Sequence, residues 1–489
     1  MLDDALEAGS PRRAVAAALG AAIVGAVVVP LTTPGLGWPL AGLAMAGAVW
    51  LNRGRGPRRW QAWAGAMLCL ALLAVGALRA AGWLLWLCVL ASLALASLAL
   101  AGSGSTWRRQ LSGMAALPAA VFQSIGWVAM AVPDRDDTRA EHGRRVGRGL
   151  LIGLCLLVLF GGLFASADAV FADLLSRAVP RLAPARIAAA VLVFVIVNGL
   201  TTGAIYLVVR GGGRTDESDA DEEEPVETGG RWPLLDWAIP LALLDALFAV
   251  FVAVQLTVLF GGHGYVLGPG GPTYAEYARN GFWQLGLATL LTLAVIAAVG
   301  YRAARERRRD RLAIRVLGGA LCVLALVVVA SALRRMALYA DAYGFTRLRL
   351  AAFTGELWLG LLFVLLLVAG VRLGGARWLP RAATATAAAV LLALVAINPD
   401  AYIARTIIDR YRHDGHLDAN YLSHLSADAV AEIDRLPEPQ RSCTLVLIAD
   451  RLAEPDPWYA YNAARERARA LLAARPVPPG TQPCEMVFR

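Results

Sequence analysis

Long apolar segments with almost no charge recur along this chain between residues 14 and 397. A helix needs about 20 apolar residues to cross the hydrocarbon core of a bilayer, and the segments are close to that length. The sequence therefore predicts an all-α fold, a polytopic transmembrane helix bundle of about 11 spans with a small helical C-terminal extramembrane region. The predicted spans are residues 14–33, 36–52, 60–79, 81–101, 146–165, 186–209, 233–260, 281–301, 312–333, 350–371 and 379–397.

The composition excludes several other classes of protein. Apolar residues make up 58% of the 489 residues and charged residues only 17%, against roughly 25% charged in an ordinary soluble domain. A mean hydropathy of +0.56 excludes a soluble globular enzyme, a disordered chain and a nucleic-acid-binding domain. The net charge of +9 comes from arginine, because the chain has no lysine, and we interpret it as the mark of a GC-rich genome. The predicted partner is the lipid bilayer and not nucleic acid.

Arginine is distributed unevenly among the connections between the predicted spans. The connections 53–59, 302–311 and 372–381 are rich in arginine, whereas the alternate ones have one or none. Cytoplasmic loops of membrane proteins carry the excess of positive charge, so we expect a plasma-membrane protein with a cytoplasmic N-terminus and an extracytoplasmic C-terminus. Residues 334–349 are an exception, since they place four arginines outside.

These expectations divide the chain into seven regions. Residues 111–131 carry polar interruptions and arginines on both sides, so an interfacial or re-entrant helix is preferred to a span. The acidic run from Asp216 to Glu227 predicts a solvated loop, with docking of a basic partner as the alternative. The regions are a cytoplasmic N-terminus (1–13), four transmembrane helices (14–101), a cytoplasmic segment with the interfacial or re-entrant helix (102–145), a transmembrane pair (146–209), an acidic disordered cytoplasmic loop (210–232), five transmembrane helices (233–397) and an extracytoplasmic helical tail (398–489).

Two cysteines support the location of the tail. Cys443 and Cys484 are the only cysteines after residue 397, and a single pair in a short region fits a disulfide in an oxidising compartment. This agrees with the arginine distribution. A protein partner at this tail or at the acidic loop is a further expectation.

Four strings of residues carry a resemblance to a known family. They are Phe164–Phe171 (FASADAVF), Tyr274–Gln284 (YAEYARNGFWQ), Arg335–Arg349 (RMALYADAYGFTRLR) followed by Glu356 and Trp358, and Asn398-Pro399-Asp400. Together they resemble the bacterial membrane proteins grouped as domain of unknown function 4173, with its relative 4153. The resemblance covers about residues 150–470 and leaves out the early spans and the acidic loop. It implies a multi-spanning bacterial membrane protein and assigns no catalytic residue.

The same strings place acidic, aromatic and basic side chains at the extracytoplasmic ends of the helices. Three carboxylates near several phenols and guanidiniums could bind a cationic or zwitterionic ligand, or a metal ion through oxygen ligands; no metal site is predicted. The alternative is an interfacial aromatic belt whose charges pair with one another. The members of this predicted rim are Asp168, Glu276, Asp341, Tyr274, Tyr277, Tyr339, Tyr343, Arg279, Arg347 and Arg349.

Polar side chains inside the predicted spans form a second group of candidates. Asp245, Gln255 and Glu356 are its members, and a charged group at the bilayer centre costs about 2.5–3.5 kcal/mol on insertion scales. Asp245 lies near the middle of its span and could exchange a proton. The alternative for Asp245 and Glu356, and the preferred one for Glu356, is a structural bond that fixes helix packing.

The remaining patterns narrow the function without identifying it. The histidines near residues 413–424 are interpreted as part of an exposed juxtamembrane linker and not as a zinc site. No phosphate-binding loop, haem attachment site or nucleophile elbow is present, so no cofactor is predicted and an enzyme is not favoured. Ligand handling or transport is the leading hypothesis; a membrane sensor or scaffold subunit of an envelope complex is the alternative, and a membrane-embedded transferase is the weakest.

Overall fold

A computed structural model of the chain describes residues 11–52, 60–102, 106–129, 184–211, 232–260, 274–303, 307–371 and 376–484. No strand forms within these ranges, so the fold is all-α, as predicted. Eight of the described helices are long and apolar enough to cross a membrane, and two further apolar helices are shorter. The predicted span 146–165, Asp168 and most of the acidic loop lie outside the described residues.

The described helices of the bundle follow the predicted spans closely. Ten of them match predicted spans, and α5 corresponds to the segment predicted as interfacial or re-entrant. Their bounds are α1 Pro11–Val28, α2 Gly37–Leu51, α3 Trp60–Leu78, α4 Gly82–Ala101, α5 Trp107–Ala129, α6 Pro184–Gly211, α7 Leu234–Phe260, α8 Tyr274–Arg302, α9 Arg308–Tyr343, α10 Arg347–Val371 and α11 Leu379–Ile397.

Helices α7, α8 and α10 all pack against α9. At one end of this group Trp237 and Leu241 of α7 pack with Leu321 of α9. Farther along, Val252 of α7 joins a cluster with Val328 of α9. The face of α7 that carries these residues is therefore the face that meets α9, and Asp245 lies on it between the two clusters.

Helix α5 packs mainly on α4 and α6. Its buried positions recur every three or four residues, so one narrow stripe of a helix faces the protein. Gln110 near its start donates a hydrogen bond to Thr384, close to the beginning of α11, and Trp127 near its end packs with Ala14 at the beginning of α1. Both ends of α5 thus meet the arginine-rich ends of spanning helices. These contacts favour an interfacial helix, although its length and composition alone would suffice for a span. The buried positions are Gln110, Gly113, Leu117, Ala120, Ser124 and Trp127.

The tail is a small helical unit that continues directly from the last span. Asn398 has a left-handed backbone (φ 59°), which ends α11 and turns the chain into the next helix. The tail core is continuous with the ends of α3, α4, α10 and α11, because Leu72, Leu84 and Leu394 pack in the same cluster as the tail residues. The tail helices are α12 Pro399–Asp414, α13 Ala419–Ser423, α14 Val430–Ile433, α15 Gln440–Leu452 and α16 Ala463–Ala474.

The histidines predicted to lie in an exposed juxtamembrane linker, His413, His416 and His424, are exposed. Helix α12, which precedes and partly includes them, was not predicted; Pro399 starts this helix because its fixed φ suits a first helical turn. The prediction of a 334–349 connection is wrong, because α9 continues to Tyr343 and α10 begins at Arg347. The unexpected arginines there lie in these helices and not in an open loop.

Candidate functional site

The structure brings two of the predicted rim arginines into contacts with other parts of the protein. Arg347 forms an ion pair with Asp400 of α12, at 2.6 Å between Nη2 and Oδ2. Arg349 donates a hydrogen bond to the Tyr339 hydroxyl (3.1 Å) and stacks over the ring of the same tyrosine. These contacts agree with the alternative in which rim charges are paired structurally.

The rest of the predicted rim is not described at the level of side chains. Asp168 lies outside the described residues, and only the helical backbone is described for the other members. The same holds for the intramembrane residue Gln255. Their common site stays a prediction. The residues concerned are Tyr274, Glu276, Tyr277, Arg279, Asp341 and Tyr343.

Asp400 is the centre of the contacts between the tail and the bundle. Its side chain is fully buried and accepts hydrogen bonds from Arg347 Nε and Nη2 at 3.0 and 2.6 Å. Trp83 Nε1 at the start of α4 donates to Oδ1 (3.3 Å), and the Ser426 backbone amide donates to Oδ2 (2.9 Å). One carboxylate thus joins α4, α10, α12 and the loop before α14.

Charge and burial act in opposite directions on the tail carboxylates. Burial alone raises the pKa of Asp400. The hydrogen bonds from Arg347 and Ser426, together with the positive charge of Arg347, outweigh burial and hold the pKa below its ordinary value. Burial also acts on Asp428, where hydrogen bonds from the Ala80 amide and the Ser426 hydroxyl offset it only in part, so the pKa of that carboxyl is raised. Asp400 is therefore a stable anion, whereas Asp428 is a poorly stabilised one.

Further contacts fix the tail to the connections at one face of the bundle. The Asn462 side-chain amide donates to the carbonyls of Gly76 and Arg79 (both 2.8 Å). Arg465 donates to the carbonyl of Pro34 (2.9 Å), and the Leu36 amide donates to the carbonyl of Tyr461 (3.0 Å). The α1–α2, α3–α4 and α9–α10 connections therefore lie on the same face of the bundle as the tail. The arginine-rich connections leave from the other ends of these helices.

Asp245 has the most unusual environment among the intramembrane candidates. Both of its carboxylate oxygens are shielded from solvent and have no hydrogen-bond donor among the described residues. The neighbouring buried residues on the same helix face are apolar, Leu241 on one side and Val252 on the other. An ionised carboxylate without donors is strongly disfavoured in such surroundings.

Glu356 contrasts with Asp245 because it has a partner. Its side chain is buried, and Oε1 lies 3.1 Å from the Thr289 hydroxyl of α8. The same hydroxyl lies 2.8 Å from the Leu285 carbonyl, and one hydroxyl hydrogen serves only one acceptor at a time. The Thr289 hydroxyl therefore donates to Glu356 Oε1 or to the Leu285 carbonyl, one at a time. This hydrogen bond fits the structural interpretation of Glu356.

The tail also contains a disulfide between Cys443 and Cys484, whose Cα atoms are 4.8 Å apart. Both cysteines are buried, and the bond closes a segment that includes α15 and α16. Within the described residues, no group of three or more His, Cys, Asp or Glu side chains is arranged to hold a metal ion.

The sequence did not identify the residues that anchor the tail. Asp400 belongs to the quoted string Asn398-Pro399-Asp400, but its partners Trp83, Arg347 and Ser426 are distant from it in sequence. An acidic residue in the first turn of a helix has a local explanation, since it stabilises the helix dipole. Nothing local signals that three other segments converge on it.

A comparison with protein families matches residues 67–436 to a domain of unknown function, DUF4153. The chain belongs to the DUF4153 family. The resemblance drawn from the sequence was to family 4173, which is a related family; the matched family, 4153, was named there only as its relative. Its extent also changes: the match begins within α3 and includes α4 and α5, and it ends before the disulfide-bonded segment. It contains Trp83, Asp245, Arg347 and Asp400.

Neither curated proteins nor solved structures gave a match.

Proposed function

We propose that this DUF4153 protein is a bacterial plasma-membrane protein that binds a ligand in its helix bundle and transports it in exchange for a proton held by Asp245. The N-terminus is cytoplasmic in this proposal, and the tail is extracytoplasmic. The arginine-rich connections support this orientation, because the tail packs on the connections at the opposite helix ends.

The observation that carries the proposal is the absence of a hydrogen-bond donor for Asp245 among the described residues. A carboxyl group in apolar surroundings holds its proton, because the ionised form loses its hydration and gains nothing in return. It releases the proton when a cation or a hydrogen-bond donor arrives. Binding of a cationic or zwitterionic ligand beside Asp245 would thus be coupled to proton release.

Glu356, a second carboxyl group within the spans of this helix group, does not share that property. Glu356 already has Thr289 as a hydrogen-bond partner at the contact of α8 with α10. Its substitution by glutamine retains an oxygen that can accept the hydrogen bond from Thr289. Glu356→Gln is therefore a matched control for Asp245→Asn, since both change an intramembrane carboxyl to an amide.

Proton movement tests the proposal with a panel of cationic and zwitterionic compounds as candidate ligands. The full chain is reconstituted into liposomes that contain a pH-sensitive dye, and each compound is added outside. We expect at least one compound to move protons with the wild-type protein and with Glu356→Gln, and Asp245→Asn to lose this activity. Asp245→Glu, which keeps a titratable group, should retain part of it.

Abundance in the membrane and the melting temperature are measured for every variant. Wild-type values for Asp245→Asn, together with lost proton movement, separate a functional role from a structural one. Asp245→Asn liposomes that conduct protons like the wild type would contradict the proposal. Wild-type liposomes in which none of the compounds moves protons would contradict it as well.

One observation favours the alternative, a sensor or scaffold subunit of an envelope complex. Trp458 on the tail is 64% exposed and Tyr461 is 47% exposed, and exposed aromatic residues are enriched where proteins bind one another. In this second proposal the tail binds a protein partner. A complex that survives purification with the wild type and is lost with Trp458→Ala supports it; a protein that is isolated alone from its native membrane contradicts it.

A further inference from the structure

A cavity of about 240 Å³ lies where the last span enters the tail. Ile397, the final residue of α11, lines it, and so does Leu471 of α16. These two apolar side chains are 57% and 37% exposed. The cavity therefore opens beside an apolar surface at the end of a membrane span, at the level where lipid headgroups meet the protein.

The buried side of the cavity has acceptor oxygens that lack donors. Asn398 and Asp428 both line it, and the Oδ1 atom of each is buried without a hydrogen-bond donor among the described residues. Asp428 is only 7% exposed, and its other oxygen accepts hydrogen bonds from the Ala80 amide and the Ser426 hydroxyl. Because unsatisfied buried acceptors are costly, a group with several N–H donors is stabilised in the cavity once either side chain turns its Oδ1 toward it.

The exposed side of the cavity carries an unused positive charge. Arg467 of α16 lines it, and no other described residue bonds to its guanidinium. The second arginine, Arg405, is different because it forms a 2.7 Å ion pair with Glu432. Glu432 is also paired with Arg435, so its charge is balanced. Arg467 remains available for an anion.

We propose that this cavity binds the headgroup of an aminophospholipid, with the ammonium group at Asn398 and Asp428 and the phosphate at Arg467. An ammonium group offers three donors, and a guanidinium binds phosphate oxygens through charge-assisted hydrogen bonds. The acyl chains would continue along the apolar surface at Ile397. This inference is independent of the proton exchange proposed for Asp245 and concerns a different part of the protein.

Competition between two lipids tests the ammonium site. The full chain is purified, freed of lipid and offered equal amounts of phosphatidylethanolamine and phosphatidylcholine with identical acyl chains. Both lipids have the same net charge, but the quaternary choline nitrogen has no N–H donor. We expect native mass spectrometry to show about a tenfold preference for phosphatidylethanolamine, in line with a charged hydrogen bond. Equal retention of the two lipids would overturn the proposal.

Matched substitutions test the location. Arg467→Gln and Asp428→Asn should each reduce phosphatidylethanolamine retention about tenfold. The controls Arg412→Gln and Asp409→Asn make the same chemical changes in an exposed ion pair of α12 and should have no effect. Melting temperatures identify any variant that is misfolded. Lipid retention by folded Arg467→Gln at the level of the controls would exclude this cavity.

A third experiment distinguishes a lipid from a soluble ligand of the same chemistry. Phosphoethanolamine is added at the concentration of the bound lipid. We expect the lipid to remain bound, because phosphoethanolamine has no acyl chains to cover the apolar surface. Displacement of the lipid at equal concentration would show that the cavity binds a soluble zwitterion and would overturn the lipid assignment.

Discussion

The Asp400 carboxylate connects parts of the chain that are far apart in sequence. It is fully buried, and its hydrogen-bond donors come from Trp83, Arg347 and Ser426. An arginine fork matches a carboxylate in two parallel bonds, which a lysine cannot do. Removing one member of a buried charge pair leaves the other without compensation. This residue is therefore expected to be critical for docking of the tail.

Asp400→Asn should lower the free energy of unfolding by on the order of 3 kcal/mol. The asparagine nitrogen cannot accept hydrogen bonds from Arg347 or from the Ser426 amide. Asp409→Asn, in an exposed pair with Arg412, should change stability by less than about 0.5 kcal/mol. Thermal unfolding of the purified proteins measures both. Equal melting temperatures for the two variants would refute a central role for Asp400.

The pH dependence of stability has a defined sign at the same residue. The folded-state pKa of Asp400 is lowered, so its contribution is complete above the unfolded value of about 3.9. The contribution is lost as the pH falls through the lower folded pKa. Asp400→Asn should therefore lose less stability than the wild type when the pH is reduced through this range. Parallel pH profiles of melting temperature would contradict this.

At the scale of elements, α5 shows how close helix packing depends on small residues. A Cβ at Gly203 of α6 would lie 2.9 Å from the Val121 amide nitrogen and 3.1 Å from the Ala120 carbonyl carbon. These are backbone atoms of α5, which cannot move without the whole helix. At Gly20 of α1, by contrast, a Cβ would meet nothing within 4 Å. The two glycines thus form a matched pair.

Gly203→Ala should destabilise the protein, whereas Gly20→Ala should be neutral or slightly stabilising. Alanine favours a helix over glycine by about 1 kcal/mol, so only the clash with α5 makes Gly203→Ala unfavourable. The melting temperatures of the two variants measure the difference. A Gly203→Ala protein as stable as Gly20→Ala would show that α5 is not packed closely on α6.

Sequence patterns predicted the elements better than the contacts between them. Apolar runs located ten of the described helices of the bundle. The helix Pro399–Asp414 was missed, because its arginines, histidines and aspartates suggest an exposed segment while only Ile403, Ile407 and Ile408 mark its buried face. The Asp400 contacts could not be predicted, since they depend on three distant segments reaching one place.

At the scale of the whole molecule, the tail and one face of the bundle form a single packed unit. Leu72 and Leu84 of the bundle share a hydrophobic core with Ile433 and Leu445 of the tail. We propose from the arginine distribution and the Cys443–Cys484 disulfide that this unit lies outside the cytoplasm. This orientation is the claim that would put the proposed lipid site at the outer surface of the membrane.

Thiol labelling tests the orientation most directly. Glu466→Cys places a thiol at a 62% exposed side chain of the tail, and Arg309→Cys places one at an exposed position beside an arginine-rich connection. A maleimide that cannot cross membranes is added to intact cells. The proposed orientation predicts that Glu466→Cys is labelled at once and Arg309→Cys only after the cells are permeabilised. Labelling of Arg309→Cys in intact cells, with Glu466→Cys protected until permeabilisation, would contradict it.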